Sequence, residues 1–201
     1  MFILGLTGPS GAGKSLAARH LEQRGFYHID ADLAARAVME PGRECLKALA
    51  AAFGGEIIRE DGVLDRKRLA QLAFAGGRVA ELNAVTHPFI LKEIEGQLRA
   101  AEQTGARYTV LDAPALYESG ADSICDKVLA VTADRALRVA RIIERDGITK
   151  EQAETRVNAQ PDERFYTDRA DYIIRSDGGQ AELFPAVDRI ADRICSGGND
   201  G

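Results

Sequence analysis

The chain has no tryptophan, and aromatic residues make up only 6% of its 201 positions. Single-stranded nucleic acid is held largely by base stacking on aromatic rings, so a platform of that kind is excluded. A surplus of positive charge is missing too. Lys and Arg number 26 against 31 Asp and Glu, a formal net charge of −5. That balance argues against a nonspecific nucleic-acid or membrane-surface binder and leaves basic work to local arginine clusters. Cysteine is scarce: Cys45, Cys125 and Cys195 are far apart and lack C-x-x-C spacing. The pattern opposes a zinc site or a disulfide framework and fits three small apolar fillers in a reducing cytoplasm. No apolar run approaches the roughly 18 residues of a membrane span. The opening M-F-I-L-G-L lacks the charged n-region of a signal peptide. A cytoplasmic protein is expected, with no membrane and no nucleic acid among its partners and no obligate protein partner implied.

What is present is ordinary for a globular chain, 45% hydrophobic and 28% charged. Short apolar runs alternate with helical periodicity. Residues 2–7 read as a buried strand, followed by a glycine loop and a helix that stops at Gly25. F-Y-H-I-D-A-D reads as a second strand, with a helix from Leu33 to Met39 broken by Pro41-Gly42. Residues 43–99 are mostly helical, with G-G-E-I-I-R-E-D-G-V-L as a hairpin or loop between the helices. R-Y-T-V-L-D-A-P, D-K-V-L-A-V-T-A and A-D-Y-I-I-R-S supply three more strands, and an amphipathic helix closes the chain from Glu182 to Cys195. Strands alternating with helices predict an α/β fold, a five-stranded parallel sheet flanked by helices. The expected division is a core of about 1–39, 106–136 and 168–195, a helical substrate-binding insertion over about 40–105, an arginine-bearing lid over about 137–167, and a loose tail over 196–201.

Residues 7–16 read T-G-P-S-G-A-G-K-S-L, and Gly8, Gly13, Lys14 and Ser15 satisfy G-x-x-x-x-G-K-[ST]. A strand precedes the motif and a helix follows, which is the context a phosphate-binding loop requires. Glycines at 8, 11 and 13 let the backbone wrap tightly with N–H groups inward, and the helix N-terminus adds positive potential. Lys14 is expected at the β- and γ-phosphates and Ser15 on Mg²⁺. The chain has no N-K-x-D guanine motif, and a short chain with helical insertions points to a small-molecule kinase.

Two further groups fit phosphoryl transfer. Asp30 and Asp32 follow the second strand, where ligands of open parallel sheets bind. Either carboxylate suits the proton-accepting role for an acceptor hydroxyl, and either also suits a helix cap. Arg138, Arg141 and Arg145 recur at three and four on one helix face. A lid carrying them would neutralise charge at the transferring phosphate. The alternative is a solvated face paired with Asp134, Glu144 and Asp146, and that is the expectation for Arg138.

Together these pieces resemble the dephospho-CoA kinase family over residues 2 to about 178. The resemblance rests on I-D-A-D-L-A-A-R at 29–36, E-P-G at 40–42, D-G-V-L-D-R at 61–66 and L-N-A-V-T-H-P at 82–88. D-A-P-A-L-Y-E at 112–118, R-I-I-E-R-D at 141–146, Gln160 and A-D-Y-I-I at 170–174 add to it. It implies a P-loop kinase fold that moves the ATP γ-phosphate to the ribose 3′-hydroxyl of dephospho-CoA. By resemblance the catalytic residues are Asp32 as base, Lys14 and Arg141. ATP falls to Gly8, Ser10, Gly11, Ala12, Gly13, Lys14, Ser15, Leu16 and Arg145. The acceptor falls to Thr7, Asp32, Arg36 and His87, although His87 equally suits a structural helix start before Pro88. Mg²⁺ falls to Ser15, with Asp112 as a further candidate through water. The chain departs from the family in its loop, where Leu16 replaces a threonine, and near the adenine, where Ser176 and Asp177 stand in place of Asn. Two competing readings are a nucleoside or nucleotide kinase, favoured by the G-P-S-G-A-G-K-S loop, and a nucleotide-binding regulator with no acceptor.

Overall fold

A computed structural model describes residues 1–197, and most of the loose tail expected at 196–201 lies outside them. The chain divides into two compact units, Met1–Ile29 with the described part of Ala101–Gly201, and Asp30–Ala100.

The first unit is built on five strands: β1 Phe2–Thr7, β2 Tyr27–Asp30, β3 Tyr108–Asp112, β4 Lys127–Thr132 and β5 Tyr172–Arg175. Their order in the sheet is β2-β3-β1-β4-β5, and the expected five parallel strands are all present. The central strand β1 pairs parallel with β3 and β4, and β4 with β5. Alternation along β1 sends Leu4 and Leu6 to one face. There they join Val110, Leu129, Val131 and Ile174. Helices α1 (Lys14–Gln23) and α9 (Gln180–Cys195) cover that face with Ala17, Ala18 and Leu21 from one and Leu183, Val187, Ala191 and Ile194 from the other. On the opposite face Gly5 is crowded, since a Cβ there would lie 2.8 Å from Cys125 Sγ. Three more helices in this unit are α6 (Arg135–Asp146), α7 (Lys150–Asn158) and α8 (Glu163–Thr167). Asp134 caps α6, and a Thr149–Gln152 capping box starts α7. The pair α6–α7 has a small core of its own, Val139, Ile142, Ala153 and Val157.

The second unit holds α2 (Ala31–Ala37), α3 (Glu44–Phe53), α4 (Arg66–Ala75) and most of α5 (Val79–Gln103). Its core gathers Leu46, Leu49, Phe53, Ile57, Leu64 and Leu69. The G-G-E-I-I-R-E-D-G-V-L stretch folds as a short 3-10 turn and a minimal hairpin, with Ile58 bridging Leu64 and Arg59 N–H donating to Val63 C=O at 2.9 Å. Two expectations are corrected. α2 begins at Ala31 instead of Leu33, because Asp30 caps it and accepts from the N–H groups of Asp32 (2.8 Å) and Leu33 (3.1 Å). His87 starts no helix: α5 runs straight through it with Pro88 inside, where the missing N–H leaves one carbonyl of the previous turn without its usual donor.

Among the described residues no helix is long and apolar enough to cross a membrane. The three cysteines are unpaired, but only Cys45 is fully buried, Cys125 is half-buried and Cys195 is exposed, so the last is no core filler.

Candidate active site

Parallel pairing puts the carboxyl ends of β3, β1, β4 and β5 along one edge of the sheet, and the chain leaves β1 there into the glycine loop. Gly8 has φ +143°, and a Cβ on it would lie 2.1 Å from the Val131 carbonyl oxygen of β4. Gly11 has φ +80°, and its Cβ would meet the Arg138 carbonyl oxygen at 2.6 Å. Both positions therefore require glycine on conformational and on steric grounds.

The loop is strapped from outside. Arg138 Nε donates to the Ser10 carbonyl at 3.0 Å, and Arg141 Nη1 donates to the Gly11 carbonyl at 3.2 Å. Ser176, just past β5, donates its hydroxyl to the Ala12 carbonyl. In a trans peptide the N–H points opposite to the C=O. Holding the carbonyls of Ser10 and Ala12 outward therefore turns the N–H groups of Gly11 and Gly13 inward, and neither donates to a protein acceptor among the described residues. The Ala12 N–H closes the turn on Pro9 C=O at 3.2 Å. α1 starts from Gly13 in a left-handed conformation with no side-chain cap and no acid in its first turn. The result is a concentration of backbone donors suited to an anion.

Lys14 ends at Asp112. The register Leu6↔Asp112 brings the acid at the end of β3 beside the loop, and Lys14 Nζ bonds Asp112 Oδ1. Asp112 is 6% exposed, and His28 Nε2 lies 3.8 Å from its other oxygen. Burial works to raise the Asp112 pKa, but His28 and Lys14 outweigh it and hold the carboxyl below its ordinary range. Ser15 is exposed in the first turn of α1, and Leu16 is half-buried against the sheet core. Thr7 is fully buried, its hydroxyl donating to the Pro114 carbonyl at 3.3 Å.

The arginines of α6 separate by role. Arg138 is 8% exposed, which corrects the expectation of a solvated residue. Its paired-acid alternative fails because Asp134 caps its own helix, accepting from Ala136 N–H at 2.8 Å. Arg141 forks onto Ser176, Nη2 to the carbonyl at 2.6 Å and Nη1 to the hydroxyl at 2.9 Å. Arg145 grips Asp146 with two bonds, of 2.7 and 2.9 Å, and Arg156 joins the same carboxylate. The Arg145 bond, with Arg156 adding to it, takes Asp146 down to about 2.

In the second unit Asp32 and Arg36 are exposed one turn apart on α2, a spacing that puts them on one face. His87 is half-buried on α5 and lines an apolar groove of about 280 Å³ with Met39, Leu69, Phe74 and Ile90. Among the described residues no three His, Cys, Asp or Glu side chains cluster as a metal site. Sequence reasoning missed the Arg138–Gln160 contact and the Lys14–Asp112 pair. Only the second carried a signal, an acid ending the strand next to β1.

The profile of the family described as dephospho-CoA kinase matches residues 2–182. The chain is 38% identical over 197 residues to a dephospho-CoA kinase of Corynebacterium glutamicum, covering 98% of each. It is 37% identical over 185 residues to one from Shouchella clausii, covering 92% of this chain and 94% of the relative. Among solved structures, a Thermus thermophilus protein superposes with TM-score 0.80 at 30% identity, covering 98% of both chains. A shikimate kinase from Acinetobacter baumannii shares the fold, at TM-score 0.56 and 17% identity over 98% of this chain and 95% of that one.

Proposed function

The chain belongs to the dephospho-CoA kinase family of ATP-dependent kinases, and from that premise we propose that it transfers the γ-phosphate of ATP to the ribose 3′-hydroxyl of dephospho-CoA, giving coenzyme A and ADP. The observation that carries this reading is the strapped loop. Its outward carbonyls and inward amides, with Lys14 beside it and α1 starting uncapped, match what a nucleotide's phosphates demand.

In this reading Gly8, Ser10, Gly11, Ala12 and Gly13 wrap the phosphates, with Leu16 flanking them. Lys14 exchanges its bond to Asp112 for the β- and γ-phosphates. Ser15 presents a hard hydroxyl oxygen, exposed in the first turn of α1, which fits Mg²⁺. A magnesium ion bound there neutralises charge on the phosphates. The lack of a carboxylate cluster among the described residues is compatible with this, since Mg²⁺ in kinases takes most of its shell from phosphate and water. Asp32 is the general base. It takes the proton of the acceptor hydroxyl as that oxygen bonds to the γ-phosphorus, and the bond to the bridging oxygen breaks with its electrons leaving on ADP. The capping duty of Asp30 supports the choice between the two acids. Arg141 and Arg145 serve the nucleotide side, on a segment over 137–167 that acts as a lid. Thr7, Arg36 and His87 serve the acceptor side, with the helical segment over about 40–105 as the acceptor's platform.

The test is product formation from ATP, Mg²⁺ and dephospho-CoA, read by mass spectrometry, with adenosine, cytidine, GMP and CMP as parallel acceptors. Coenzyme A formed far faster than any other product supports the proposal. A faster product from another acceptor, or ATP hydrolysis with no phosphorylated acceptor, overturns it.

A further inference from the structure

Arg138 lies at the junction between α6 and the phosphate loop, yet the reaction as derived gives it nothing to do. The residue is buried, at 8% exposure, and forms no ion pair among the described residues. Burying a cation without a carboxylate is costly unless its donors are met by well-placed acceptors. Here two of them are met, by one backbone carbonyl and one side-chain amide. Nε donates to the Ser10 carbonyl at 3.0 Å, and Nη2 donates to Gln160 Oε1 at 2.8 Å. The same Gln160 oxygen accepts from the Ser10 N–H at 3.1 Å. Both backbone polar groups of Ser10 are thus held by two side chains from segments 128 and 150 residues away in the chain. Desolvation lowers the Arg138 pKa from its ordinary value, a cost consistent with a charge kept for positioning.

We propose that Arg138 and Gln160 are positioning residues for nucleotide binding: together they clamp the Ser10 peptide so that the Gly11 amide is aimed inward before the phosphates arrive. This rests on the reading of the loop as a nucleotide site, and it is independent of which acceptor is phosphorylated. The physical effect is preorganisation. A loop of glycines without the clamp samples many conformations, and binding must then order it. The clamp also links the two ends of the α6–α7 pair to the loop, since Arg138 lies in α6 and Gln160 just beyond α7. A nucleotide that binds the clamped loop more tightly therefore favours the docked state of that pair by the same factor.

The experiment measures the dissociation constant of Mg²⁺–ADP with no acceptor present, by titration calorimetry, in Arg138→Met, Gln160→Met and the double variant. Circular dichroism and thermal unfolding accompany each. The expected result is a loss of about tenfold or more for each single variant, the scale of a charge-assisted hydrogen bond. The double variant should lose no more than the worse single one, because the two side chains hold Ser10 as one unit and the loss of either releases it. The KM for ATP rises in parallel while the KM for the acceptor stays within twofold. Arg138→Lys keeps the charge without the fork and should recover only part of the affinity. If Arg138→Met does not fold, Gln160→Met and Arg138→Lys carry the test alone. Unchanged ADP affinity in the folded variants, or losses that simply add, would overturn the proposal. A wild-type enzyme that binds no nucleotide at all would instead overturn the loop assignment on which it rests.

Discussion

Adding a single methyl group at Gly8 is the most direct challenge to the loop geometry. In Gly8→Ala the new Cβ would start 2.1 Å from the Val131 carbonyl oxygen, with φ at +143°. Ordinary contact needs about 1 Å more, and neither neighbour is free to give way: Gly8 leaves β1 and Val131 lies in β4, two strands paired at the centre of the sheet. A strained φ costs of order 1–3 kcal/mol and a forced overpacking about the same, so the variant should lose roughly 2–6 kcal/mol of stability. Against a total of about 5–15 kcal/mol that is a large fraction. The fraction that folds should also turn over at least about a hundredfold more slowly, the scale of a 1 Å misplacement of reacting groups. Urea unfolding followed by far-UV circular dichroism reads the first quantity, and coenzyme A production the second. Stability within about 0.5 kcal/mol of wild type together with normal turnover would refute the steric reasoning.

Other consequences are as specific. Asp32→Asn should keep ADP affinity within a few-fold while turnover falls by two or more orders of magnitude; a near-normal rate removes Asp32 from the mechanism. Lys14→Ala should weaken both nucleotide affinity and rate, and unchanged kinetics would undo the phosphate-loop assignment. Asp112 has a folded pKa below its unfolded value, so its ionisation stabilises the fold above roughly pH 4 and ceases to as the pH falls further. The stability difference between wild type and Asp112→Asn should therefore shrink on acidification below that point, and a difference growing there would contradict the sign. Burial pushes Cys125 to about 12, which leaves roughly one thiolate in 10⁴ at pH 8. Iodoacetamide at pH 8 should mark exposed Cys195 long before Cys125, and equal labelling would mean that the Cys125 site opens.

The strands β1, β3 and β4 were legible in the sequence because a parallel strand buried on both faces needs a mainly apolar run, and each of these three runs stops at a polar residue. Thr7, Asp112 and Thr132 are those stops, and the site grows from them. The glycines of the loop were legible for the same kind of reason, since few other residues tolerate those angles. Arg138 was not. A three-and-four spacing says that 138, 141 and 145 share a face, but not whether that face meets water or a neighbour, and here a single helix does both: Arg138 is buried and Arg145 exposed. The helix through Pro88 was hidden by the rule that proline ends helices, which yields where the surrounding turns are held by packing. For Gln160 the resemblance marked the residue but not its contacts, because the Ser10 N–H and the Arg138 guanidinium that it accepts from are both remote in sequence.

The remoteness of the straps has a consequence for the timing of synthesis. The hydroxyl that holds the Ala12 carbonyl arrives 164 residues later, and the amide that holds Ser10 arrives 150 residues later. A ribosome adding about 5–20 residues per second takes roughly 8–30 s to supply them. Through that interval the chain carries a phosphate motif whose backbone is not yet braced, and its central strand β1 has to wait for β3 and β4. Nucleotide in the cell thus has no finished loop to bind until Ser176 has emerged. ATP can act as a folding ligand only at the end of the process, by selecting completed chains.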